Sequence, residues 1–161
     1  MVSAYEVAAT VPDPELPMLT LHDLGILRDV SEDGDTVIAT ITPTYSGCPA
    51  MREISADVQH RLHAAGFAKV TVRMQLAPAW SSDWITAAGR RKLATAGIAP
   101  PSAVAPRTRP IPLTLGQRPA VACPRCGSPR TTRTAAFSAT ACKSLHRCDA
   151  CCEPFEQVKA I

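Results

Sequence analysis

The chain has 161 residues, 46% of them hydrophobic and 4% aromatic, with a formal net charge of +3. This is the composition of a folded protein of one domain or two small ones, and so few aromatic rings argue against a base-stacking nucleic-acid surface. The longest uncharged stretch, Thr36 to Met51, is broken by Pro43, Gly47 and Pro49 and is too short to cross a bilayer, and Met1 to Pro12 holds neither a basic residue nor a long apolar run, so a cytoplasmic protein without membrane attachment is expected.

In chain order, Ser3 to Ala9 reads as a short helix stopped by Pro12, and Asp13-Pro14-Glu15-Leu16-Pro17 as a proline-fixed turn. Ile26 to Val30 and Thr36 to Thr42 read as two strands joined through Glu32-Asp33-Gly34. After a sharp turn at Ser46-Gly47-Cys48-Pro49, Met51, Ile54, Val58, Leu62 and Ala65 recur at spacings of three and four, one apolar face of a helix that Gly66 ends. Ala68 to Leu76 reads as a third strand with Val70, Val72 and Met74 turned inward, and Asp83 is placed to cap a last helix through Leu93, ended by Gly97. The expected class is α+β, a small mixed sheet covered by helices in the order α-β-β-α-β-α, over residues 1–97. Residues 98–120 hold six of the fifteen prolines and read as an extended linker. Residues 121–161 offer three strands, Arg130 to Ser138, Ser144 to Arg147 and Phe155 to Lys159, too few to bury a core without a metal. Charge is uneven along this plan: residues 1–97 carry 8 basic against 11 acidic side chains, and residues 121–161 carry 6 against 3.

That last segment contains its own answer. Cys123-Pro124-Arg125-Cys126-Gly127 and Cys148-Asp149-Ala150-Cys151 are two C-x-x-C knuckles, each a tight turn that aims two sulfurs and several amides at one point. Together they supply the tetrahedral four-sulfur set that zinc favours, with a structural role as the default; iron in the same geometry, or a cluster, is the competing occupant. Cys142 and Cys152 are left over. Cys142 beside Lys143 reads either as an additional thiol of lowered pKa or as a small buried hydrophobe, and Cys152 as pointing away from the metal. Cys48 stands immediately ahead of a helix that Pro49 can begin, where unpaired amides and the helix dipole favour a thiolate fit for nucleophilic attack or soft-metal ligation; an ordinary buried thiol is the alternative. Asp13 and Glu15, fixed by Pro14 and Pro17, can approach the same turn. The four histidines form no metal or catalytic pattern, no phosphate-binding glycine loop is present, and Arg90-Arg91-Lys92 reads as surface.

Asp13-Pro14-Glu15-Leu16-Pro17, Asp23-Leu24-Gly25-Ile26, Thr44-Tyr45-Ser46-Gly47-Cys48-Pro49 and Pro78-Ala79-Trp80-Ser81-Ser82-Asp83-Trp84-Ile85 resemble the iron-sulfur cluster assembly domain shared by SufT and the eukaryotic cytosolic iron-sulfur targeting factors. With the linker, Thr140-Ala141-Cys142-Lys143 and the ending Cys151-Cys152-Glu153-Pro154-Phe155, nearly the whole chain is similar to the PaaD family of phenylacetyl-CoA ring-1,2-epoxidase systems. The resemblance implies a non-catalytic accessory or maturation factor of aerobic phenylacetate degradation. Cys48 would hold or pass a transient iron-sulfur cluster, alone or across a homodimer, with Asp13 and Glu15 in support. Zinc would bind in the ribbon, and the partners would be epoxidase subunits, the iron-sulfur and flavin reductase first among them. A structural adaptor that assembles those subunits without handling iron is the alternative. Where relatives end in a further cysteine, this chain ends Lys159-Ala160-Ile161, so no ligand role falls there.

Overall fold

The computed structural model describes residues 2–104 and 120–161, and the chain divides into two compact units, Met1–Lys92 and Leu93–Ile161. Most of the stretch read as linker, with Pro106, Arg107, Arg109, Pro110, Pro112, Arg118 and Pro119, lies outside the described residues.

The first unit opens with α1 (Ala4–Ala9), started by a reciprocal cap in which Ser3 Oγ accepts from the Glu6 amide at 3.2 Å and the Glu6 carboxylate accepts from the Ser3 amide at 2.8 Å. The chain then doubles back, with the Asp13 amide donating to the Leu19 carbonyl and the Leu21 amide to the Val11 carbonyl. It enters α2 (Leu21–Leu24), a helix too short for any apolar period to announce. Its sequence signal is a second capping box, Thr20 with Asp23 three residues on, each side chain accepting the other's amide at 3.1 Å.

β1 (Leu27–Asp33) and β2 (Thr36–Ile41) form the expected antiparallel hairpin around Gly34, whose φ is 60°. α3 (Ala50–Ala64) buries Met51, Ile54, Val58 and Leu62 as the spacing predicts, but Ala65 lies past the last turn and is exposed. Gly66 ends the helix at φ 99°: its amide donates to His63, and the Phe67 amide to Leu62, the paired bonds of a Schellman stop. β3 (Lys69–Met74) then runs parallel to β2, from Thr36↔Lys69 to Ile41↔Met74, which completes a mixed sheet of order β1-β2-β3. Val70 and Val72 are half-buried, whereas Met74, expected inward, is 54% exposed. Alternation fixes which side a residue faces, but among the described residues β3 is an edge strand whose carboxyl end is exposed.

A single 3-10 turn (Ser82–Trp84) precedes α4 (Ala87–Thr95). Asp83 does not cap that helix. Thr86 does, its hydroxyl accepting from the Gly89 amide at 3.0 Å, while Asp83 sits in the turn before it with the Arg90 guanidinium 3.8 Å away.

In the second unit β4 (Ile98–Ala99), β5 (Thr131–Ala135), β6 (Lys143–Cys148) and β7 (Pro154–Val158) form a sheet of order β4-β7-β6-β5. Three of these are the strands expected after residue 121; β4, at the head of the proline-rich stretch, pairs parallel with β7. The core is small: Ala99, Cys123, Cys148 and Phe155 are buried together with Val121 against them, and the His146 ring stacks on Phe155 at 5.4 Å between centroids.

Asp23 ties the first unit together. Its carboxylate accepts from the Thr20 amide and from Lys92 Nζ at 2.6 Å, and its backbone carbonyl accepts from the Thr86 amide at 2.9 Å. One residue therefore fixes the start of α2 and the approach to α4. Burial alone would raise the carboxyl pKa, but the bond from Lys92, the Thr20 amide and the Lys92 charge outweigh it and hold the group below its ordinary value. Asp23→Ala is expected to lower stability by about 2 kcal/mol in chemical denaturation. Because the folded-state pKa is the lower one, this contribution is complete above the ordinary carboxylate range and is lost as pH falls through the folded value. Asp23→Asn should therefore show a flatter acid limb of stability than the wild type.

Candidate functional site

The two knuckles are built alike. The Cys123 amide donates to the Ser128 carbonyl at 3.0 Å and the Cys148 amide to the Glu153 carbonyl at 2.9 Å, each bond closing the turn five residues on. After each second cysteine the chain reverses through a positive φ, 73° at Gly127 and 63° at Cys152. The turns bring four sulfurs to one place. All lie within 4.8 Å of one another, with Cys123 and Cys151 sulfurs 3.8 Å apart and Cys126 and Cys148 sulfurs 3.6 Å apart. A tetrahedral zinc with Zn–S bonds of about 2.3 Å has sulfur-to-sulfur edges of about 3.8 Å, so the spacing fits that ion. Cys123 and Cys148 are buried, and Cys126 and Cys151 are exposed.

The protonation chemistry of the site points the same way. The amides of Cys151 and Ala150 hydrogen-bond the Cys148 sulfur and, against burial, draw its thiol down to about 6. Cys151 is pushed up to about 12: the Glu153 amide pulls it down, but burial and the sulfurs of Cys148, Cys126 and Cys123 push harder. Cys126 is likewise raised, the pull of the Ser128 amide being outweighed chiefly by Cys148. Thiols of Cys126 and Cys151 that hydrogen-bond a Cys148 sulfur of lowered pKa share one negative charge among crowded sulfurs, a site for a cation, whose charge makes thiolate the favoured form of every ligand.

Cys142 is not part of this group. It is buried at the start of β6, with Thr140 Oγ1 3.2 Å from its sulfur, and its carbonyl accepts from the Lys159 amide. The neighbouring Lys143 ammonium is engaged elsewhere, in a 2.8 Å ion pair with Glu156, which is also bonded by the Ser138 hydroxyl. Sequence adjacency could not reveal that partner thirteen residues away.

Cys48, Asp13 and Glu15 belong to the first unit. The Cys48 amide donates to the Tyr45 carbonyl at 3.3 Å across a turn in which Gly47 takes φ 82°, and the Cys48 carbonyl accepts from Met51 at 3.3 Å as α3 begins. The thiol is half-buried. Pro49 falls at the N-cap with helical dihedrals and gives no side-chain cap, so the first amides of α3 have no such partner. Asp13 is buried, and its Oδ1 accepts from the Glu15 amide at 2.9 Å and the Leu16 amide at 2.8 Å, shaping its own loop. Glu15 is half-buried.

Two of the sequence motifs meet directly. Gly25 has φ 69°, and a Cβ there would stand 2.7 Å from Trp84 Cβ and 2.9 Å from the Trp84 carbonyl. The Trp80 indole donates to the Leu24 carbonyl at 2.9 Å, and the Arg28 guanidinium lies 3.7 Å over the Trp84 ring. Glycine is required at position 25 by both its conformation and its neighbour.

A mixed α+β unit with this turn, followed by a four-cysteine β ribbon, defines an iron-sulfur assembly-type domain joined to a zinc ribbon. Residues 5–74 match the iron-sulfur cluster assembly protein family, and residues 107–159 the PaaD zinc beta ribbon domain. The chain is 41% identical, over 98% of its length and 91% of the relative's, to a protein of Escherichia coli (strain K12) that is provisionally named as a component of 1,2-phenylacetyl-CoA epoxidase. It belongs to the family of that component, the PaaD family. Among solved structures, a domain of unknown function, DUF59, from Bacillus anthracis is 28% identical with a TM-score of 0.52, covering 56% of this chain and 87% of that one. A conserved hypothetical protein from Thermotoga maritima is 25% identical with a TM-score of 0.47, covering 56% and 89%. Among the described residues no helix is long and apolar enough to cross a membrane.

Cys148→Ser is expected to abolish stoichiometric zinc by metal analysis and to collapse the dispersed NMR signals of the ribbon, since a structural zinc contributes on the order of 10 kcal/mol of folding energy to a domain with so small a core. Cys152→Gly should behave oppositely. It replaces a side chain in the left-handed region by the residue its twin knuckle already uses, so zinc content stays whole and stability is unchanged or higher by up to about 1 kcal/mol.

Proposed function

We propose that the chain is an accessory factor of a phenylacetyl-CoA epoxidase system, and that it carries an iron-sulfur unit as cargo on Cys48 toward the system's iron-sulfur and flavin reductase. The observation that carries this reading is the Cys48 turn: a half-buried thiol at the beginning of α3, after the carboxyl end of a strand with a parallel neighbour, in a domain of the iron-sulfur assembly family. Such strand ends are where α/β sheets gather ligands, and a helix beginning without a side-chain cap offers amides to a thiolate. Asp13 supports the site by holding its own loop, and Glu15 is the acidic side chain of that loop.

The division of labour follows the two units: Met1–Lys92 handles cargo, and Leu93–Ile161, with zinc on Cys123, Cys126, Cys148 and Cys151, docks on an epoxidase subunit; because β4 pairs with β7, the proline-rich stretch read as a linker from residue 98 begins inside the second unit. Zinc supplies a closed, redox-inert crosslink in this arrangement. Cys142 is a structural thiol of the ribbon. The protein works in the cytoplasm, does not itself turn over substrate, and brings two Cys48 thiols to one cluster if it dimerises.

Cys48→Ser is the direct test. The variant should keep its fold and its zinc, while reductase produced beside it contains markedly less iron and sulfide than reductase produced beside the wild type. A fully loaded, active reductase would remove the cargo reading. Wild-type protein purified without air, free of iron and sulfide yet bound to the oxygenase, would instead identify a structural adaptor.

A further inference from the structure

We propose that the outer edge of β3 is a docking strand for an extended segment of the cargo-receiving protein, one that alternates acidic with apolar residues. The identity of the occupant as a cargo recipient rests on the reading above; the chemistry of the edge does not.

Among the described residues, strand order places β3 at one edge of its sheet. The Gln75 amide donates to the Ile41 carbonyl at 2.8 Å, toward β2. Amides alternate sides along a strand, so those of Lys69, Thr71 and Arg73 also turn toward β2, and those of Val70, Val72 and Met74 turn outward. Here the two edges of the sheet differ. β1, the other edge, carries exposed Asp29, Glu32 and Asp33, the kind of charge that deters pairing. β3 carries no acid and no proline, and its apolar character continues past its end, with Met74 54% and Leu76 66% exposed.

An added strand sets one row of side chains beside Lys69, Thr71 and Arg73 and the other beside Val70, Val72 and Met74. The first row presents positive charge. The Arg73 guanidinium has no hydrogen-bond or ion-pair partner among the described residues, and Lys69 is paired with Asp35 in the open, where the two side chains are 62% and 80% exposed. Acids on one row and apolar residues on the other are the complement. The place also suits delivery: Ile41 pairs with Met74 where the parallel strands end, and the chain leaves β2 at that end toward the Cys48 turn.

The test uses the zinc-loaded full chain, isotopically labelled, and two synthetic peptides of about ten residues, one alternating Glu and Val, the other Lys and Val. The Glu peptide should slow hydrogen exchange at Val70, Val72 and Met74, and the Lys peptide should not. Arg73→Glu, a surface change, should weaken the Glu peptide about tenfold. Met74→Pro, which removes an outward amide and leaves the β2 ladder intact, should abolish protection. Absent protection, equal binding of both peptides, or full binding by Arg73→Glu would overturn the proposal. Protection of the same amides that rises with protein concentration and needs no peptide would also overturn it, by assigning the edge to a second copy of the chain. Cys48→Ser should bind the Glu peptide as the wild type does, so a failure of the cargo reading and a failure of docking are separately visible.

Discussion

A carboxylate buried in the first unit has to be paired or it opposes folding, and Asp23 is paired three ways. Its oxygens take the Thr20 amide, Lys92 Nζ and, at 3.4 Å, the Thr86 hydroxyl. The consequence is geometric as much as energetic. With α2 and the start of α4 held to the same residue, the backbone at Gly25 is brought against Trp84 so closely that no Cβ fits, and Trp80 reaches the Leu24 carbonyl. Two motifs about sixty residues apart in sequence are thus one piece of structure. Together they join α2, the Trp80–Trp84 segment and the start of α4 into one frame.

The ribbon obeys a different constraint. Among its described residues the buried apolar side chains are Ala99, Phe155 and Val158 beside Cys123, Cys142 and Cys148, too little apolar surface to offset chain entropy. The knuckle amides gather the sulfurs, and hydrogen bonds among them together with burial hold the Cys126 and Cys151 thiols in the neutral form. A dication replaces those shared protons and crosslinks both knuckles, so the crowding that keeps thiols protonated without metal is what gives the metal its four ligands. The left-handed residue after each knuckle is the backbone cost of aiming the sulfurs, borne by Gly127 on one side and by a cysteine on the other.

These two constraints explain what could be read beforehand. The hairpin, the buried face of α3 and the four-sulfur set are local patterns, and each is present in the fold because alternation, the helical period and C-x-x-C spacing are written in contiguous residues. Long-range partners are not. Ser81, Ser82, Asp83 and Thr86 are all competent caps, and only the path of the chain selects Thr86 for α4. Lys143 looks like the neighbour of Cys142 until Glu156 claims it. Met74 continues a sound alternation, yet whether anything covers a strand's last residue depends on sheet order, which periodicity does not contain.

The same distinction bears on where function sits. Four cysteines at ideal spacing are the loudest signal in the chain, but a closed tetrahedral site leaves no coordination position for chemistry. Cys48 is quiet by comparison: one thiol, one glycine turn and an uncapped helix start. Because β2 and β3 are parallel, the route between them must return over the sheet, and α3 is that return. Such a crossover places the beginning of its helix at the carboxyl end of the first strand, where no further ladder covers it. The topology therefore sets a half-buried thiol after the carboxyl end of β2, where the proposed cargo site lies, while the ribbon's four thiols converge on one cation site.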